Sequence, residues 1–205
     1  MEFINRLILV LLIGITSTAF SQNEQDLMVA FSSSYELEAK GEYSDAIGVL
    51  KGVYVEDSYE INLRLGWLTY MAGLFSESAP YYQNCIDLKP LSVEARLGLI
   101  NPNAAMGNWT LVENTYHEIL KIDPENSTAL YRLGSIYYGK SDYATASKYF
   151  ERLLNHYPFD YDSMLMSAWT YYHMGEMRKA KVLINKVMLY SPGDKSATEG
   201  LGLIE

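Results

Sequence analysis

The sequence predicts an all-α fold built from stacked helical hairpins, and three observations predict it. First, Pro90, Pro124, Pro158 and Pro192 stand 34 residues apart, so four of the six prolines share one period. A fixed period of this size is the mark of a repeat array. Second, the segments before these prolines superimpose in register: "GLFSESAPYYQNCIDLKP", "GNWTLVENTYHEILKIDP", "KSDYATASKYFERLLNHYP" and "GEMRKAKVLINKVMLYSP". An aromatic or Met falls at Phe75, Trp109, Tyr143 and Met177. A large apolar residue follows seven later at Tyr82, Tyr116, Phe150 and Ile184, and a smaller apolar one three further on at Cys85, Ile119, Leu153 and Val187. Spacings of three and seven place these residues on one helical face. Third, "NLRLGWLTYMAG", "YRLGSIYYGKS" and "LMSAWTYYHMG" precede those segments and are helical in period. They end at Gly73, Ser141 and Gly175, where a left-handed residue would stop a helix.

Taken in chain order, the first element is a leader. Met1 to Arg6 is short and carries Arg6, "LILVLLIGITSTAF" has the length of a signal-peptide apolar core, and Ala19 and Ser21 are small residues at the places cleavage needs. Residues 1–21 are therefore expected to be a signal peptide, with a mature chain beginning at Gln22 outside the cytoplasm; the alternative is an uncleaved anchor. Next, "YELEAKGEYSDAIGVLKGVY" fits the repeat template, with a following loop two residues shorter. At the far end, "DKSATEGLGLIE" reads as one further helix, laying Leu201 and Ile204 on the last pair as a cap, or else as a frayed tail.

Leu65-Gly66, Leu133-Gly134, Tyr137, Tyr171, the Gly-x-aromatic turns, Ala46, Ala146, Ala180 and the closing prolines together resemble the tetratricopeptide repeat (TPR) family. The resemblance implies an α-α superhelix of about five helix pairs, residues 27–58, 59–92, 93–126, 127–160 and 161–194, with a cap at 195–205. It further implies an inner groove lined by the first helix of each pair. Carried onto this sequence, that inner face holds Phe31 and Tyr35, then Leu63, Trp67, Tyr70 and Met71, then Asn101, then Tyr131 and Tyr138, then Trp169, Tyr172 and His173. The acids Glu38, Glu60, Glu94 and Asp162 are expected there too, with no Lys or Arg. A groove of this kind suits an extended peptide with apolar or basic side chains. A glycan stacked on Trp67 and Trp169 is the alternative, and plain inter-helix packing would also account for the aromatics.

The third repeat departs from the pattern. Within "LGLINPNAAMGNW", Pro102 would lose its helical bond to Gly98 and disfavour helical angles at Asn101. The cheaper expectation is a helix that stops near Ile100 and restarts with Pro102 in its first position, leaving either a hollow around Asn101 or only a packing adjustment.

Composition limits the remaining chemistry. A net charge of −9 argues against nucleic acid and anionic membrane as partners. Any membrane association would come from a partner or an uncleaved leader. The lone Cys85 excludes an intrachain disulfide and reads as a small buried hydrophobe. His117, His156 and His173 lack metal-ligand spacing, no nucleophile is paired with a base, and no cofactor is expected. "GSIYYGKS", residues 134–141, matches a phosphate-loop pattern by letter, but no strand precedes it, so no nucleotide is expected. Asn108-Trp109-Thr110 and Asn126-Ser127-Thr128 are glycosylation sequons by letter only.

Overall fold

The computed structural model of the chain describes residues 24–204; the leader expected over residues 1–21 lies outside them. The described residues form eleven helices and no strand. They are α1 (24–39), α2 (Tyr43–Lys51), α3 (Tyr59–Met71), α4 (Phe75–Leu88), α5 (Val93–Ala105), α6 (Trp109–Ile122), α7 (Ser127–Gly139), α8 (Tyr143–His156), α9 (Tyr161–His173), α10 (Met177–Tyr190) and α11 (Lys195–Ile204). Connections of a few residues force successive helices to run antiparallel. The chain divides into two compact units, one ending at Met106 and the other beginning at Gly107.

Helix starts follow a series that the proline period conceals. Ser58, Ser92, Asn126, Asp160 and Asp194 each accept a backbone N–H three residues on, from Ile61, Ala95, Ala129, Ser163 and Ala197, at 2.8–3.3 Å. These caps satisfy amides that the helix itself leaves free. From Ser92 onward each cap sits two residues after a closing proline, so the proline ends one helix and the cap begins the next. Helix ends follow the expected glycines. Gly73 and Gly175 have φ of 77° and 76°, and Ser141 takes the same left-handed conformation at 61°. Beyond Gly73, the Leu74 N–H reaches back to the Thr69 carbonyl at 2.8 Å and closes the turn.

In the first unit, Ala30, Ala46, Leu50, Ile61, Leu65 and Leu68 form a buried core. The Tyr82 ring of α4 is wedged between two glycines. A Cβ added at Gly98 would lie 2.1 Å from Tyr82 Cε1, and one at Gly66 would lie 3.0 Å from its Cε2. Cys85 is fully buried with its Sγ 3.4 Å from the Tyr59 carbonyl, and burial followed by the charges of Glu94 and Glu60 pushes its thiol up to about 12. In the second unit, Phe150 fills the corresponding notch over Gly134, and Met164, Ala168, Ile184, Val187 and Ala197 form a buried cluster. Leu201 and Ile204 pack against that cluster, so the C-terminal segment is a docked helix.

One expectation fails. Helix α5 runs unbroken from Val93 to Ala105 with Pro102 inside it, and Asn101 is helical. The break, and any hollow made by it, does not exist. Pro102 stands in the last turn, so it removes only its own N–H from the helix, while the Met106 N–H still bonds the Pro102 carbonyl at 3.0 Å. Both Pro102 and Asn103 are buried, and Asn103 Nδ2 also donates to the Leu99 carbonyl at 2.9 Å. Packing of the final turn outweighs the local preference of a residue before proline.

Candidate functional site

Helices α1, α3 and α5 of the first unit line a cleft of about 490 Å³. Phe31 and Tyr35 come from α1, Leu63 and Trp67 from α3, and Leu97, Gly98 and Asn101 from α5. Gly98 lies there because only a glycine clears the Tyr82 ring beneath it. Tyr35 is 56% exposed and Trp67 37%, so both present aromatic surface to the cleft. Glu60 and Glu94 complete its lining.

The charges are held in place. The Tyr59 hydroxyl donates to Glu94 Oε2 at 3.2 Å, and Lys89 Nζ pairs with Glu60 at 3.3 Å while lying 4.0 Å from the Tyr59 ring centre. A hydrogen bond from its own backbone amide, assisted by Lys89, holds the Glu60 carboxyl below its ordinary range. Arg64 corrects the expectation of a face without cations. It lines the cleft, only 7% exposed, with Nη1 on Glu38 at 2.5 Å, Nε donating to Ser34 Oγ at 3.1 Å and its guanidinium 3.8 Å from the Tyr35 ring centre. Trp67 Nε1 donates to the other Glu38 oxygen at 2.5 Å. Burial alone would raise the Glu38 carboxyl, but the Trp67 and Arg64 hydrogen bonds and the Arg64 charge outweigh it and hold the group low. Arg64 therefore offsets Glu38 and Lys89 offsets Glu60, which leaves Glu94 as the net negative charge of the cleft.

The other residues expected on this face are distributed as follows. Tyr70 leans on Trp67 and Phe75, with ring centres 6.1 and 5.6 Å away, and Met71 is exposed at the end of α3. In the second unit, Tyr131 lines a separate polar cleft of about 480 Å³ with Arg132, Tyr157, Asp160 and Asp162. Tyr138, Tyr172 and His173 form an aromatic cluster: His173 stacks on Tyr143 at 4.7 Å, its Nε2 lies 3.1 Å from the Tyr138 hydroxyl, and Tyr172 contacts both His173 and Trp169. Trp169 is half-buried and donates its indole N–H to Ser196 Oγ at 2.9 Å, which ties it to α11. The phosphate-loop letters fall on α7 and its cap, where the Gly134 notch is filled by Phe150. Among the described residues no helix is long and apolar enough to cross a membrane.

The class follows from this architecture. The described residues are packed helical hairpins with the tetratricopeptide fold. Residues 128–160 and 162–193 match the tetratricopeptide repeat family model. A tetratricopeptide repeat protein from Parabacteroides merdae shares the fold with a TM-score of 0.74 and 20% identity, over 88% of this chain and 72% of that one. MamA shares it with a TM-score of 0.68 and 18% identity, over 80% and 90%. RNA polymerase-associated protein CTR9 of Caenorhabditis elegans is 27% identical over 115 residues, which are 56% of this chain and 10% of that protein's length.

Proposed function

We propose that the chain is a non-enzymatic scaffold whose α1–α3–α5 cleft holds an extended peptide of a partner protein carrying basic and apolar side chains. The observation that supports this reading is one cleft combining exposed Tyr35 and Trp67 with Glu60 and Glu94. A cation over an aromatic face and beside a carboxylate gains from both, and the apolar residues between accept aliphatic side chains. The leader read over residues 1–21 supports action outside the cytoplasm, and intact mass of the exported protein should show a chain starting at Gln22.

The test uses an immobilised peptide array that varies Lys, Arg, Leu and Tyr positions. Wild-type protein should prefer basic-apolar sequences. Changing Tyr35 and Trp67 together to Ala should weaken the best peptide by at least about tenfold, with helicity by circular dichroism unchanged because neither ring belongs to the buried core. Replacing Glu60 and Glu94 with Lys should reverse the charge preference. Equal binding of acidic and basic peptides by the wild type would remove the cleft as the site.

A further inference from the structure

A second pocket lies in the unit that begins at Gly107 and is independent of the cleft above. Helices α8, α9 and α10 line an open hollow of about 380 Å³, walled by Leu154, Tyr171, Val182 and Leu183. Ser167 also lines it, is 1% exposed, and its Oγ has no hydrogen-bond partner. Buried hydroxyls are normally satisfied, because an unpaired one forfeits its hydration for nothing. Tyr171, by contrast, is engaged through its hydroxyl to Glu151.

Arg178 and Lys179 stand at the mouth, and Glu151, held by the Tyr171 hydroxyl, lines the same pocket. Lys179 pairs with Glu176 at 2.6 Å and lies 4.7 Å from the Tyr171 ring centre, whereas Arg178 makes no ion pair among the described residues. Helix α10 carries Arg178, Lys179, Lys181 and Lys186 and no acidic residue, in a chain of net charge −9. Val182 is 57% exposed on the same helix.

We propose that this pocket receives one tyrosine or tryptophan side chain from an acidic segment of a partner protein. The ring fills the apolar walls, its O–H or N–H donates to Ser167 Oγ, and flanking carboxylates meet Arg178 and the basic face of α10. A lipid chain, or a leucine or phenylalanine, would fill the same space and leave the hydroxyl unpaired, so the polar floor favours an aromatic residue with a donor. The charge of α10 favours acidic neighbours around it.

Fluorescence anisotropy with the labelled peptide Glu-Asp-Glu-Trp-Glu-Asp tests this on the full chain. The wild type should bind it more tightly than the versions with Phe or Ala in place of Trp, and binding should weaken as salt rises. Ser167→Ala breaks no existing bond and should leave helicity intact. It should weaken the Trp peptide by about fivefold and leave the Phe peptide unchanged. Arg178→Glu should weaken both peptides by about tenfold at low salt. Equal affinity for the Trp and Ala peptides, an equal effect of Ser167→Ala on the Trp and Phe peptides, or no binding at about 1 mM peptide would each overturn the proposal. So would anionic phosphatidylglycerol vesicles that displace the bound peptide, since they would assign the face to a membrane surface.

Discussion

At the scale of single residues, the fold depends on where side chains are missing. Gly98 and Gly66 flank Tyr82, and the approach at Gly98 leaves no room for a methyl group. Gly98→Ala should therefore destabilise the first unit by about 2 kcal/mol or more, as overpacked cores do, seen as a lower midpoint in urea with an unchanged slope. Ser141 shows the converse. It holds φ of 61° at a helix end where Gly73 and Gly175 occupy the matching positions. Ser141→Gly should raise stability by up to about 1 kcal/mol, because a non-glycine residue is strained in this region. The glycines, the closing prolines and Cys85 were legible in the sequence because backbone conformation and close packing admit few residue types. Arg64 was not, although it lies four residues from Glu60 on the same helix. Nothing in the letters says that its long side chain turns inward to Glu38 and lies against the Tyr35 ring rather than extending into water.

Among the elements, α11 tests most directly how a terminal helix is held. Asp194 caps it through the Ala197 N–H at 2.8 Å and accepts from the Tyr161 hydroxyl at 2.6 Å. The Tyr161 bond, then the Ala197 amide, hold its carboxyl below the ordinary value of 3.8. A carboxyl depressed in the folded state adds stability above its unfolded pKa and loses it as pH falls through the folded one. Asp194→Ala should thus lower Tm at pH 7, Asp194→Asn should lower it less because Asn also caps, and the gap between wild type and Ala should narrow as the pH is taken below the ordinary carboxyl value of 3.8. Helix α5 marks the limit of reading elements from sequence. Local rules for Asn101-Pro102 predict a stop, and they lose because the last turn is buried. The N-cap series was visible in principle, but Ser, Asn and Asp share no letter, so the period shows only once their common bond is seen.

For the molecule as a whole, each compact unit has its own buried core and its own capped helices. Residues 24–106 and 107–204 expressed separately should each give a helical circular dichroism spectrum and a cooperative thermal transition. The second unit, with Phe150 seated over Gly134 and α11 docked on its end cluster, is the one expected to fold more robustly. A disordered second fragment would show that its helices need the rest of the chain.

Acidity is also unevenly divided. Residues 24–106 hold twelve acidic and five basic side chains, a net of −7, whereas residues 107–204 hold eleven and ten, a net of −1, with four of those ten on α10. An isoelectric point near 4.9 thus averages two units of very different charge. Within the second unit an anion meets four cations and no acid on α10, whereas the first unit, taken by itself, attracts cations. Encounter of a cationic partner with the first unit would then quicken as the buffer is diluted.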